Sequence, residues 1–468
     1  MSAKWTQGTL LLLVILVVVD IAKHVATFAI GPAPVCMDVI QYLGFGRSVA
    51  RGDFFLFEHA INYRMPGYSW ALGLCVFLFD RYAMLAAIVA QHGLAMATSF
   101  IPPIICYRIT NRPSAFVSAY ALSVVCVSRV WFANVLLAAT LFTFCVALVW
   151  WAWYEYLRRP NAWTAVRLGF ALSLAVIVRP DPQLLIVPIL FTIVFHAYYQ
   201  PGRQRWSRAS CHGLIVTGIL IASVSPWLYR NWAMFGEPFL AKLPTANKWQ
   251  VCFQEGASAH LPLPLDESGM KLVGLLQRCR HDPEELYCYS VIGSLEQSGM
   301  SERDIDDLLS QVCISAIVKN PLQFGFAAIK RSVNLWRCLR NEYPPFGAGE
   351  ISEHGDQFVW RNQAVADHYE PILRNALSRN LRMNEFILLM VVVGSWWLVR
   401  DPRTRSFGVA LVLGFAYFTA VTAAVEIENY RYRMTLEPAM IVAVIGGIFT
   451  RFCKLSPSVI SSAQTPAK

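Results

Sequence analysis

The sequence predicts an all-α polytopic membrane protein, a helical bundle of about ten transmembrane spans with a segment outside the bilayer. Three observations carry that expectation. The 468-residue chain is 56% hydrophobic, with a mean hydropathy of +0.44. Only 15% of its residues are charged, too few to give a chain of this length a polar shell. Apolar runs of roughly 20 residues, enough to cross about 30 Å of hydrocarbon, recur along it. The 15 Trp, 18 Tyr and 28 Phe suit the aromatic belts that form where spans meet water. A net charge of +10 does not indicate nucleic acid here, because the basic residues punctuate apolar runs and orient the chain in the membrane.

Spans fall at 9–30, 83–106, 114–133, 135–154, 162–179, 182–199, 211–229, 384–399, 407–425 and 438–451. The first begins like a signal peptide but ends in Asp20, Lys23 and His24 without a small-residue cleavage site, so it reads as an uncleaved span. Asp20 shares a helix face with Lys23 and His24. Either they pair with one another near the outer interface, or they line the floor of a substrate cavity. Segment 68–79 is too short to cross comfortably and reads as a partly embedded helix leading into the second span.

Basic residues close to spans are retained in the cytoplasm. With Lys4 inside, the cytoplasmic connections carry Arg108 and Arg112; Arg158, Arg159 and Arg167; Arg203, Arg205 and Arg208; Arg400, Arg403 and Arg405; and Arg451, Lys454 and Lys468. Only Glu155 and Asp401 offset them. Both termini are then cytoplasmic. Stretches 31–82, about 230–383 and 426–437 lie on the outer side.

The expected organisation is an N-terminal membrane bundle over 1–232 with its first outer loop at 31–82, and an outer segment over 233–383. C-terminal spans over 384–455 and a tail over 456–468 follow. Within the outer segment, 303–320 and 321–340 have apolar residues at helical spacing with basic residues between them, as in amphipathic helices on a membrane surface. Residues 341–380 read as loop. Cys252, Cys279 and Cys288 are candidates for one disulfide if that side is oxidising, and no His/Cys spacing suggests zinc.

The residues able to carry chemistry gather on the outer side. Asp38 follows the first span and has Tyr42 one helical turn on; by itself it reads as the cap of the helix that follows it. Arg64 precedes a Pro66-Gly67 turn. Arg179, then Arg230 with Asn231, then Arg431 and Arg433 stand at outer span ends. Each arginine by itself fits snorkelling beside interfacial aromatics. Several on one face suit a lipid phosphate, which guanidinium binds bidentately.

Taken in order, Asp38, Tyr42 and Gly52, Arg64-x-Pro66-Gly67-Tyr68, Arg179-Pro180, Pro226-Trp227-x-x-Arg230-Asn231 with Phe235-Gly236, and Arg431-Tyr432-Arg433 with Pro438 resemble the GT-C glycosyltransferases. The similarity is to the bacterial branch related to protein O-mannosyltransferases and lipid A aminoarabinose transferases, and it spans nearly the whole chain. It implies transfer of a hexosyl or pentosyl group from a polyprenyl-phosphate carrier to a lipid, glycan or protein acceptor on the periplasmic face. Asp38 would be the base or acceptor-positioning group. Arg179, Arg230, Arg431 and Arg433 would contact the carrier phosphate, with Tyr42, Arg64 and Asn231 as lesser contacts.

The chain departs from the pattern at Val39, where many relatives have Glu, and at Thr435, where Pro is usual. It also has Asn134 to Thr140 where many carry an acid at the outer start of the fourth span. The missing acid leaves no certain cofactor and places a divalent metal in doubt. The rival readings are a lipid or sugar transporter, against which the lack of repeated halves counts, and a non-catalytic partner with the same fold.

Overall fold

The computed structural model describes residues 5–32, 37–59, 61–202, 204–242, 245–254, 258–280, 282, 286–337, 358, 360–382, 384–426 and 430–452. Lys4, Arg203, Lys454, Lys468, the loop over 341–357 and the tail over 456–468 lie outside them. The described residues are helical. In order they form α1 (Gln7–Ile30), α2 (Met37–Ala50), α3 (Gly67–Phe79), α4 (Ala83–Thr110), α5 (Pro113–Val125), α6 (Ser128–Ala133), α7 (Ala139–Arg158), α8 (Ala162–Val178), α9 (Ile186–Tyr199) and α10 (Arg205–Phe235). There follow α11 (Thr245–Cys252), α12 (Glu267–Arg278), α13 (Cys288–Gln297), α14 (Glu302–Lys319) and α15 (Pro321–Arg337). The chain continues through α16 (Gln363–Arg382), α17 (Asn384–Arg400), α18 (Arg405–Val425), α19 (Tyr430–Met434), α20 (Glu437–Ile441) and α21 (Gly447–Phe452), with a π-helical stretch at Val442–Gly446.

Each predicted span coincides with a helix or a pair of helices, and the chain is a polytopic helical membrane protein. Among the described residues four stretches are long and apolar enough to cross a bilayer unaided, α1, Gly67–Thr110, α10 and α18, and the bent pair Arg303–Lys319 and Pro321–Arg337 passes the same test when taken as one span. The rest are shorter, and the span expected at 114–133 is broken. Cys126 leaves helical geometry between α5 and α6, with an extended backbone, and Arg129 is buried just past the break. In hydrocarbon such a break needs internal donors for the freed carbonyls. Arg129 provides one, donating from Nη2 to Ser123 O at 2.8 Å.

The chain divides into two compact units. The first comprises Met1–Leu240, Tyr343–Phe415 and Arg433–Lys468; the second comprises Ala241–Glu342 and Ala416–Tyr432. In the first, α16 packs on α1, where the sequence suggested only loop before residue 380. Trp360 Nε1 donates to Phe28 O at 2.7 Å in the same region. The last span meets α17 backbone to backbone. A Cβ at Gly394 would run into Ala443 O, and one at Gly447 into Gly394 O.

The second unit has its own core, in which Trp249, Leu272, Leu276, Val291, Leu295, Leu309 and Val312 are buried. Helix α15 turns Arg331 and Asn334 inward. Arg331 is fully buried and donates to Ala423 O at 2.6 Å and Val251 O at 3.3 Å, while Leu322, Phe326, Ile329 and Val333 are exposed. That inversion suits a face turned to lipid. The expected disulfide among Cys252, Cys279 and Cys288 is absent among the described residues. Packing of α11 on α14 sets Cys252 beside Cys313 instead, and Cys279 Sγ donates to Ser294 O at 3.0 Å.

Gly394→Ala will lower stability by about 1–3 kcal/mol through overpacking, read as an earlier thermal denaturation in detergent. Gly218→Ala, where a new methyl would meet nothing within 4 Å, will stay within about 0.5 kcal/mol of wild type.

Candidate active site

Helix α2 carries Asp38 in its first turn, and the loop that follows returns Arg64 to it. Arg64 Nη2 lies 2.5 Å from Asp38 Oδ1 and donates to Gln41 Oε1 at 2.9 Å. The guanidinium stacks 4.4 Å over the Tyr42 ring and 5.2 Å from Tyr63, whose hydroxyl donates to the same Gln41 oxygen at 3.1 Å. Burial works against the Arg64 charge, but Tyr42 and Asp38 outweigh it and raise its pKa above the ordinary value. Asp38 remains 42% exposed and Arg64 only 14%. One carboxylate oxygen is therefore held by a rigid partner, while Oδ2 takes no hydrogen bond among the described residues. The sequence ranks Arg64 as a lesser contact; the structure makes it the closest charged neighbour of Asp38 that it shows.

Tyr42 continues the cluster inward. Its ring meets Tyr68 edge-on at 4.8 Å, and Tyr68 donates to Gln91 Oε1 at 3.0 Å. Gln91 Nε2 donates in turn to Ala133 O at 3.0 Å and Val135 O at 2.9 Å, pinning the turn between α6 and α7. This is the stretch where the family pattern carries an acid. Here Asn134 is fully buried and its Nδ2 donates to Thr27 O at 2.5 Å and Gly31 O at 2.8 Å, so the residue ties the end of α1.

The Pro66-Gly67 turn seats α3 against the end of α8. A Cβ at Gly67 would lie 2.7 Å from Ile177 O, two residues before Arg179. Arg179 pairs with Asp181 at 2.8 Å, is 21% exposed, and lies 5.1 Å over the Phe142 ring. The Asp38, Arg64 and Arg179 motifs are thus drawn toward one end of the first unit.

Arg230 belongs to the site differently than the sequence suggests. The family pattern puts it at a carrier phosphate, but its guanidinium is fully buried and its hydrogen bonds are spent on protein. Nε donates to Phe55 O at 3.0 Å, Nη1 to Ile61 O and Asn231 Oδ1 at 2.7 Å each, and Nη2 to Leu56 O at 2.8 Å and His59 O at 2.5 Å. A guanidinium has five N–H donors, so none is left for a phosphate. Asn231 likewise serves the backbone, donating to Phe239 O at 2.6 Å and Leu240 O at 3.2 Å. Together they hold the loop that delivers Arg64.

Arg433 is buried in the first unit, just ahead of Glu437 in the chain. Arg431 belongs to the second unit, where it donates to Tyr432 Oη at 2.7 Å; Glu428 and Asn429 of the same motif lie outside the described residues.

Sequence reasoning passes over Arg129, Ser128 and Glu437. Ser128 Oγ reaches both Glu437 oxygens at 2.8 and 2.9 Å, and Arg129 Nε lies 3.7 Å from one of them. Arg129 stands inside an apolar run, a signal of the kind that drew attention to Asp20. Among the described residues no three His, Cys, Asp or Glu side chains converge as metal ligands, and Asp38 is engaged by Arg64, so the donor set does not fit a bound divalent ion.

Replacing Arg230 by Met will leave the carbonyls of Phe55 and Ile61 without the donor that holds them and cost about 3 kcal/mol, read as early denaturation and faster proteolysis within residues 51–66. Arg230→Lys will not restore the loop, because an ammonium has three donors for five bonds.

No protein-family model matches the chain, and no characterised protein matches it by sequence. Its fold does have solved counterparts. The archaeal oligosaccharyltransferase AglB from Archaeoglobus fulgidus, solved with an inhibitory peptide and a dolichol-phosphate, matches 99% of the chain at a TM-score of 0.50 and 12% identity. The chain covers 52% of that enzyme, about half its length. ArnT from Cupriavidus metallidurans, bound to undecaprenyl phosphate, matches 94% of the chain and 77% of its own at 0.40 and 15% identity; its apo form matches the same shares at 0.37 and 13%. At these identities the likeness concerns architecture alone: the chain shares the helical fold of the archaeal oligosaccharyltransferase over 99% of its length.

Proposed function

We propose that the chain is a membrane glycosyltransferase that moves a hexosyl or pentosyl group from a polyprenyl-phosphate carrier to a lipid, glycan or protein acceptor on the outer, periplasmic face. The observation that carries the reading is the Asp38–Arg64 pair, a half-exposed carboxylate oriented by a buried arginine, in a motif whose Gly67 turn abuts the helix end that carries Arg179. The dolichol-phosphate in the archaeal counterpart supports a lipid-phosphate donor.

The chemistry follows from the parts. The acceptor hydroxyl binds at Asp38 Oδ2 and gives up its proton there as its oxygen attacks the anomeric carbon. The bond to the carrier phosphate breaks on the opposite face, the phosphate leaves with the electron pair, and the anomeric configuration inverts. Arg179, partly exposed and only partly neutralised by Asp181, meets the growing phosphate charge; Arg433 and Arg431 are further phosphate candidates. Arg64 and Tyr42 position Asp38, while Arg230 and Asn231 position the loop. The basic connections and both termini face the cytoplasm of a plasma membrane.

The test is release of free polyprenyl phosphate from a labelled polyprenyl-phosphate sugar by the purified chain with membrane extract as acceptor source. Asp38→Asn will slow release by about 10²–10⁴-fold. Arg179→Gln will raise the carrier KM about tenfold or more, as loss of a charge-assisted hydrogen bond does. Unchanged release in Asp38→Asn overturns the base assignment, and no release with any carrier overturns the enzyme. Reporter fusions after residues 109 and 260 will report opposite sides of the membrane.

A further inference from the structure

At the end of the first unit that holds α17, α18 and α21, the structure leaves an open cavity of about 750 Å³. At Gly394 and Gly447 the backbones of α17 and the last span touch; past them the chain turns at Asp401–Thr404. Trp396, Trp397, Arg400, Arg403, Thr450 and Arg451 line the space.

Three features define what it would take. None of Arg400, Arg403 and Arg451 has a carboxylate within ion-pair distance among the described residues. Asp401, the acid on the rim, has Oδ1 engaged by the backbone N–H of Arg403 at 2.9 Å. Arg400, Arg403 and Arg451 are all exposed. The site is cationic, which is the chemistry of a phosphate ligand.

The surface leading to the cavity selects the source of that phosphate. Phe386, Leu389, Val392 and Trp396 are all exposed and follow one another at helical spacing along α17, ending at the cavity mouth. Arg400 stacks 4.5 Å over Trp396, and exposed Phe452 meets Trp397 edge-on at 5.4 Å. An apolar stripe that runs into a rim of Trp and Arg is built for a molecule with acyl chains at one end and an anion at the other. A soluble phosphate would use the arginines and leave the stripe without an occupant.

We propose that this cavity binds the headgroup of an anionic phospholipid whose chains lie along α17. The site is separate from the Asp38 cluster and stands whether or not the chain transfers sugar. The test uses the purified full chain, stripped of lipid in neutral detergent and titrated with phosphatidylglycerol, phosphatidylcholine or inorganic phosphate while bound lipid is counted by native mass spectrometry. Wild type will bind phosphatidylglycerol in preference to phosphatidylcholine. Arg403→Gln combined with Arg451→Gln will weaken that binding about thirtyfold, at about 1 kcal/mol per basic residue. Arg167→Gln, an exposed arginine stacked on Trp163 outside the cavity, will bind as wild type does. Equal binding by wild type and the double variant overturns the proposal, as does equal binding of the two lipids. Displacement of lipid by inorganic phosphate at matched concentration overturns it in favour of a soluble anion.

Discussion

Arg230 carries the loop on which the candidate site stands. A chain that leaves helical geometry among packed helices presents carbonyl groups with nothing to bond, and each costs free energy unless a donor arrives from elsewhere. The loop from Phe55 to Ile61 turns four carbonyls to one guanidinium; those of Leu56 and His59 also accept from the backbone N–H of His59 and Ile61, while those of Phe55 and Ile61 depend on Arg230 among the described residues. The same constraint is met at the turn after α6, where Gln91 and Asn134 supply side-chain amide donors to four carbonyls. Both irregular segments are therefore fixed by planar groups with several donors, and between them they set the frame for Asp38, Tyr42 and Arg64. Lys, with a single rotating ammonium, could not span either set of acceptors.

A second network lies deeper in the first unit. Asp20 pairs with Lys23 at 2.8 Å, and Lys23 donates to Val124 O at 2.9 Å, just ahead of the break between α5 and α6. His24 turns away toward His92, with their Nδ1 atoms 2.8 Å apart, and His92 Nε2 is 2.6 Å from Asn134 Oδ1. The order of donors follows from Asn134. Its amide nitrogen is used on two carbonyls, so its oxygen accepts from His92 Nε2–H; His92 Nδ1 then accepts, and His24 Nδ1 must donate. A self-paired cluster accounts for Asp20 and Lys23, and His24, with Nε2 3.9 Å from Asp20 Oδ1, also joins α1 to α4 through His92. Charged groups inside a bundle are tolerated when paired and hydrogen-bonded, and here the pairing fastens three helices at the place where one is interrupted.

How much of this the sequence reveals depends on the range of the interaction. Apolar runs are local, and the helices stand where hydropathy puts them. The interruption at Cys126 leaves no such mark, because Val, Cys, Trp and Phe on either side keep the run apolar while Arg129 hides within it. The outward-facing apolar stripe of α15 is legible as helical spacing. Its inversion is not, since only the packed structure shows that Arg331 is the buried residue. At the site, the residue types were legible but the partners were not. Asp38 and Arg64 are 26 positions apart and Arg230 lies up to 175 positions from its acceptors, so no pattern within a helical window could join them.

The contrast between the arginines sharpens which of them can meet a phosphate. A guanidinium binds an anion strongly when it is shielded from water yet keeps donors unspent. Arg230 has the shielding and no donor; its contribution to any reaction passes through the loop it holds. Arg64 has both shielding and a buried Nε without a hydrogen-bond partner among the described residues, but its charge is directed at Asp38. Arg179 is shielded less, shares its charge with an acid two residues on, and leans on Phe142. The three arginines therefore differ in how their donors are engaged: Arg230 is spent on the loop it builds, Arg64 is directed at the Asp38 carboxylate, and Arg179 is paired with half-buried Asp181.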